Sequence, residues 1–271
     1  MIYDCFAFFN ELDVLDIRLN TLDSVVDKFV LVEAAYTYQN QPKPLYFNEN
    51  KERFKKFEHK IIHIILNDKP TRCEPWDLEN FQRNAEMRGL TQAQPDDTII
   101  ISDLDEIPRP EKITDYHSRP GFKVFEQRTF YYYLNNTGHK KPSFLKRLFS
   151  KEEPYDYWRG STMVHFKDLT SPQACRNDRD NKKIPHTLIK NGGWHFSFMG
   201  GLEKILYKIN SFAHTEFNKD EYKDPEKIKF YMKNGIDLFT KEKKYKVVEI
   251  DDTFPSYIQK NKEKFKDLIL S

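Results

Sequence analysis

Cysteine is scarce: Cys5, Cys73 and Cys175 are the only three in 271 residues. Their number is odd and their spacing wide, so they offer neither a zinc-binding set nor a disulfide framework, which fits a reducing compartment. Long apolar runs are missing as well. No stretch approaches the ~18 residues that cross a bilayer, and the opening MIYDCFAFF is too short and too quickly acidic for a secretory signal. Net charge is close to nil, since 44 Lys and Arg against 42 Asp and Glu leave +2. No broad basic field therefore argues for nucleic acid. Lysine-rich runs such as KERFKKFEHK and KEKKYKV read as solvated helix faces or ends and leave a peripheral membrane contact open. These absences predict a soluble, cytoplasmic protein, and no internal repeat or low-complexity segment interrupts it.

Aromatic residues are abundant, at 15% with 22 Phe and 15 Tyr. Several lie in polar surroundings, as in TFYYYLNN and WHFSF. Most belong to a core or sheet face, and an aromatic-rich cleft is also compatible with a carbohydrate ligand. The length suits a single domain over residues 1–271.

The first part of the chain alternates strand and helix. IYDCFAFF reads as a strand with Asn10 and Glu11 at its carboxyl end, and Leu12, Leu15, Leu19, Leu22 and Val26 recur at helical spacing. KFVLVEA follows as a second strand ending near Glu33. A charged helix from about Glu49 to Phe57 then precedes a third strand, KIIHIIL. WDLENFQRNAEMRGL, Trp76 to Leu90, reads as a helix with Glu79, Gln82, Arg83 and Glu86 on neighbouring turns. This rhythm predicts an α/β fold with a mainly parallel sheet and right-handed crossovers.

The stretch DDTIIISDLDEIPRP is the centre of the sequence. Thr98 to Ile101 read as a strand buried on both faces, Asp103, Asp105 and Glu106 follow at once, and Pro108 and Pro110 bar continuation. Carboxylates at the carboxyl end of a sheet strand stand where open α/β sheets bind ligands. Residues 103 and 105 are two apart, so an extended backbone points both the same way and turns Glu106 elsewhere. Two such acids repel one another unless a cation intervenes, and a hard divalent ion, Mg²⁺ or Mn²⁺, is the simplest candidate.

Beyond Pro110 the pattern changes to antiparallel additions: KVFEQRTFYYYLNN is a long β segment, and LKRLFS and STMVHF are shorter ones. Asn135-Asn136-Thr137 matches a glycosylation acceptor that stays idle without a secretory signal. SPQACRNDRDNKK, Ser171 to Lys183, reads as a mobile loop over the cleft. GGWHFSFMGG places His195 in a short aromatic strand between glycine pairs that permit unusual backbone angles and close approach. Three C-terminal helices follow: a stripe from Leu202 to Ala213, one capped by Asp224-Pro225 and stopped at Gly235, and one from about Ser256 to Leu270.

Several of these segments, in this order, resemble glycosyltransferase family 17. They are IYDCFAFFNELDVLDIRLNTL, VDKFVLVEA with QPKPLYF, the helical QRN, ISDLDEIPRP, and GGWHFSFMGG with SFAHTEF, running from Met1 to about Phe217. The resemblance implies a GT-A-type, Rossmann-like sheet, a UDP-GlcNAc donor with a divalent cation at the DxD, and inversion at the anomeric carbon. It implies Asp105 as the direct metal ligand and Asp103 near the donor's ribose or the metal. Residues 1–110 would form the nucleotide-sugar-binding half, 111–218 the acceptor side and 219–271 a helical extension.

Charge gives the same chemistry its own basis. A sugar leaving a nucleoside diphosphate puts its bonding electrons on the β-phosphate, where a cation held by Asp105, with His195 a candidate second ligand, would stabilise them. Arg83 and Asn84 are candidates for the nucleotide, and Asn10, Glu11 and Glu33 for base and ribose. Inversion requires a general base, and the candidates are Glu106, Glu126, Asp178, Asp180, Glu203 and Glu216, with Glu106 and Glu126 preferred. The function so predicted is transfer of N-acetylglucosamine to a glycan acceptor in β linkage. The alternatives are a metal-dependent phosphohydrolase and a catalytically silent sugar-nucleotide-binding protein.

Overall fold

A computed structural model describes residues 1–139, 155–242 and 244–270. The predicted α/β alternation is present in the first part: β1 (Ile2–Phe8), α1 (Leu12–Leu22), β2 (Lys28–Ala34), α2 (Tyr46–Glu49), β3 (Ile61–Leu66), α3 (Pro75–Asn84) and β4 (Thr98–Asp103). The strands pair in parallel, with β1 between β2 and β4 and β3 beside β2. Each central strand divides its side chains between two cores. Phe6, Phe8, Phe29, Leu31 and Ile100 pack on one face, whereas Tyr3, Cys5, Val30, Val32, Ile99 and Ile101 pack on the other, as a period of two requires when both faces are covered.

The second part comprises β5 (Glu106–Pro108), α4 (Pro110–Tyr116), β6 (Lys123–Tyr131), β7 (Asn136–Gly138), β8 (Tyr157–His165), α5 (Pro172–Asp178), β9 (Thr187–Ser197), α6 (Gly201–Ile209), α7 (Pro225–Asn234), β10 (Tyr245–Val247) and α8 (Ser256–Lys260). These strands extend the same sheet in the order β10-β7-β6-β8-β4-β1-β2-β3, with β9 laid along β6 and β5. The junction β4·β8 is antiparallel and β6·β9 is parallel, so the antiparallel additions expected from the sequence start at β8. The LKRLFS segment lies outside the described residues.

Several elements differ from expectation for identifiable reasons. The Glu49–Phe57 helix is a four-residue α2 followed by a 3₁₀ segment, Lys51–Phe57. The helix expected through Leu90 ends at Asn84 and tightens into 3₁₀ over Ala85–Gly89. Gly89 lies so close to Val30 that a Cβ would overlap its side chain. The terminal helix is α only over Ser256–Lys260. The strand does not stop for good at the acids either, because Glu106–Pro108 resumes as β5 against β9. Pro108 ends that strand, where a missing N–H interrupts no ladder. The Ser171–Lys183 loop begins with α5: Ser171 is its N-cap, accepting from Ala174 N at 3.1 Å, and Pro172 opens its first turn. Asn135 and Asn136 of the glycosylation pattern are buried, their amides donating to the Leu270 and Tyr131 carbonyls. No helix among the described residues is long and apolar enough to cross a membrane.

Candidate active site

The acidic turn is held from beneath by Arg18, a residue the sequence pattern had not singled out. Arg18 is fully buried on α1 and pairs with the equally buried Asp4 through Nε and Nη2, at 2.8 and 2.6 Å. Its Nη1 reaches the carbonyl oxygens of Asp103, Leu104 and Glu106 at 3.0, 2.9 and 2.9 Å. A tight turn leaves such carbonyls without ladder partners, and a guanidinium is the side chain with enough donors to satisfy several at once.

Because Leu104 and Asp105 form a turn, the alternation of an extended strand does not carry through, and Asp103 and Asp105 enter different surroundings. Asp103 is bound by Arg83 Nη2 at 3.1 Å and by Arg176 Nη2. Glu106 joins it instead of facing away. Its Oε2 accepts from Asp103 N at 3.0 Å, and Arg176 Nη1 sits 2.8 Å from both of its oxygens. The indole N–H of Trp158 donates to Glu106 Oε1 at 2.7 Å, with Arg179 at 3.6 Å. Burial pushes both carboxyls up, but Arg176, with Arg83 at Asp103 and Arg179, reverses this and holds them below the usual carboxylate range.

Asp105 faces weaker partners. Its Oδ2 lies 3.5 Å from Lys208 Nζ and its Oδ1 lies 3.7 Å from His195 Nε2. Here burial dominates, and the carboxyl is raised despite Lys208 and His195. Burial would also depress the Lys208 ammonium, but Asp105 and Glu11, the latter at 3.8 Å, hold it above its ordinary value. Asn10, Glu11, Asp105, Phe196, Phe198, Lys204 and Lys208 line one open cleft.

His195 arrives by the close approach its glycines allow. β9 runs antiparallel to β5 with His195 opposite Glu106 and Gly193 opposite Pro108, and a Cβ at Gly193 would collide with the Ile107 carbonyl. The unusual backbone angles fall at the second pair, where Gly200 and Gly201 have φ of 100° and 81° at the start of α6.

The remaining expected site residues are scattered. Glu33 is buried, with its oxygens bound by Phe47 N at 2.7 Å, Asn48 N at 3.2 Å and His63 at 3.0 Å. It therefore caps α2 and is withdrawn from ligand contact. Asn84 accepts from Gln173 N at 3.0 Å and docks α5. Glu106, bound by cations and an indole and lowered in pKa, is a poor proton acceptor. Glu126, on β6, lies opposite Arg159 of β8, and its neighbour Gln127 is buried, accepting from Ser161 N at 3.0 Å. Of the other acids, Asp180 pairs with Arg179 and Glu216 with His214.

A divalent cation fits part of this arrangement. Among the described residues no three His, Cys, Asp or Glu side chains converge on one point, so a closed protein cage is excluded there. Asp105 and His195 offer two ligands facing one another, which suits a hard ion that completes its shell with water and substrate phosphates.

The sequence model of a family described as Glycosyltransferase family 17 matches residues 1–269. Proteins of Mus musculus and Homo sapiens, both named beta-1,4-mannosyl-glycoprotein 4-beta-N-acetylglucosaminyltransferase, are 24% identical over 96% of this chain and 53% of their own length. The chain thus spans about half the length of these curated relatives. Among solved structures, glucosyl-3-phosphoglycerate synthase of Mycobacterium tuberculosis aligns with a TM-score of 0.40 at 11% identity, covering 76% of this chain and 75% of that one.

Proposed function

The chain belongs to glycosyltransferase family 17, and from that premise we propose that it transfers N-acetylglucosamine from UDP-GlcNAc to a glycan acceptor, with inversion to a β linkage. Support comes from Asp105, a strand-end carboxylate held only loosely, between Lys208 and His195, at a cleft lined by a second lysine. The name of the curated relatives makes a β-mannosyl group the first acceptor to test.

In this proposal the diphosphate of the donor occupies the cleft beside Lys204 and Lys208. As the sugar–phosphate bond breaks, negative charge grows on the β-phosphate oxygens, and two ammonium groups already in place need little reorganisation to stabilise it. Asn10 and Glu11 stand at the end of β1 in the same cleft, within reach of the nucleoside. Asp105 and His195 would hold Mn²⁺ or Mg²⁺, which when bound supplies Lewis-acid stabilisation of the same oxygens. Arg18, Arg83 and Arg176 fix the turn that aims Asp105.

The test is UDP release from UDP-GlcNAc with Mn²⁺ and a β-mannoside, comparing the wild-type protein with Asp105→Ala. Loss of turnover in the variant, with its fold retained, is the expected result; an unchanged rate would remove Asp105 from the reaction and the proposal with it.

A further inference from the structure

Trp158 is not explained by anything above except its hydrogen bond. Large apolar side chains at this strand end are buried, as Trp194 and Phe196 are at 2% and 1%, yet Trp158 is 39% exposed. Its indole is fixed on two sides: the N–H is tied to Glu106, and Arg179 lies over the ring at 4.9 Å from the centroid. The His195 ring is 5.6 Å away, tilted by 32°. The indole, partly exposed, is thus fixed beside the group that contacts Asp105.

We infer that Trp158 is the platform on which a pyranose ring of the acceptor stacks, an inference that rests on the transfer reaction proposed above. An aromatic face binds the apolar C–H side of a sugar while the hydroxyls turn to polar neighbours, and an indole with locked torsions loses little conformational entropy in doing so. Position selects acceptor over donor. Lys208 approaches Asp105 from the Oδ2 side and His195 from the Oδ1 side, with Trp158 beyond His195. Displacement with inversion needs the nucleophile and leaving group on opposite sides of the anomeric carbon. In the transfer proposed above the diphosphate lies beside Lys204 and Lys208, and the indole, flanked by His195 and Arg179, is left for the acceptor. Trp76, also exposed at 46%, packs against His214 and touches neither Glu106 nor His195.

Two substitutions separate the ring face from the hydrogen bond, because Trp158→Phe and Trp158→Leu both lose the N–H to Glu106 and only the first keeps an aromatic face. With methyl β-D-mannopyranoside as acceptor and UDP-GlcNAc as donor, Trp158→Leu should raise the acceptor KM about three- to tenfold. Trp158→Phe should stay within about threefold of wild type, and the donor KM should not move in either. Equal rises in both variants, or none in either, overturn the platform while leaving the transfer reaction standing. Sugar binding is also read without turnover, as quenching of tryptophan fluorescence in a Trp76→Phe background by the mannoside or by N,N′-diacetylchitobiose. Quenching that disappears on adding Trp158→Phe supports the platform even if no UDP is released, an outcome that would sink only the transfer reaction. Absence of quenching by both sugars overturns the platform.

Discussion

Asp103 and Asp105 are separated by one residue and differ in almost every physical respect. Asp103 and its companion Glu106 are gripped by guanidinium forks and an indole N–H at 2.7–3.1 Å, and their pKa values are pulled down. Asp105 faces an ammonium and an imidazole at 3.5 and 3.7 Å, and its pKa is pushed up. Arginine matches a carboxylate with two parallel bonds and stays charged; lysine and histidine are single-point partners that exchange more easily. In the proposed reaction this difference separates architecture from chemistry within one acidic motif. Charges on the arginine side are committed to holding the turn, and those on the lysine side remain available to a ligand.

The largest effect should come from removing the arginine that underlies both. Arg18→Met leaves Asp4 buried without a counter-charge and frees three turn carbonyls. Breaking a buried pair in this way costs about 3–5 kcal/mol, read as a fall in the urea midpoint. A stable Arg18→Met protein with an intact turn would show that the arginine side is not the scaffold.

Next in size are changes on the lysine side, which should leave stability alone. Asp105→Asn should lower kcat/KM by roughly 10²–10³, the range for loss of a preorganised electrostatic group, with the melting temperature nearly unchanged. Lys208→Met should raise the donor KM about tenfold, as loss of one charge-assisted bond predicts. Chelation with EDTA should abolish turnover and added Mn²⁺ restore it, with the same urea midpoint before and after. If Asp105→Asn unfolded the protein, the two sides would not differ in kind.

The fold was legible because its strands are apolar on both faces and its helices amphipathic, and local pattern carries that information. The strand ending in acids, the glycine-flanked strand that carries His195 and the position of Asn10 and Glu11 at the end of β1 were therefore legible in sequence. For Glu33 and Glu106 the sequence shows that an acid stands at a strand end without showing what donates to it. Arg18, Trp158, Arg176 and Lys208 were missed because their partners lie far away along the chain. Three of these left traces. Arg18 stands on the core-facing stripe of α1 beside Leu15, Leu19 and Leu22, where a charge needs a buried partner. Lys204 and Lys208 stand one turn apart on α6, on a shared face. The helix bearing Arg176 and Arg179 was signalled by Ser171-Pro172, a cap followed by a proline, which the polar composition of the segment obscured.

The smallest expected effect probes that cap. α5 has seven residues, too short to persist without its tertiary contacts, and it is anchored by the Ser171 cap, the Asn84–Gln173 bond and the two arginines at Glu106. Ser171→Ala should cost about 1 kcal/mol, read as a small drop in the urea midpoint and faster hydrogen exchange at the α5 amides. If Arg176 and Arg179 serve the scaffold, kcat/KM should fall by less than about threefold, since a loosened helix still populates its docked state most of the time. A collapse of activity with stability untouched would mean that these guanidiniums meet the substrate. The division between a structural arginine side and a chemical lysine side would then give way to one site with cations on both flanks.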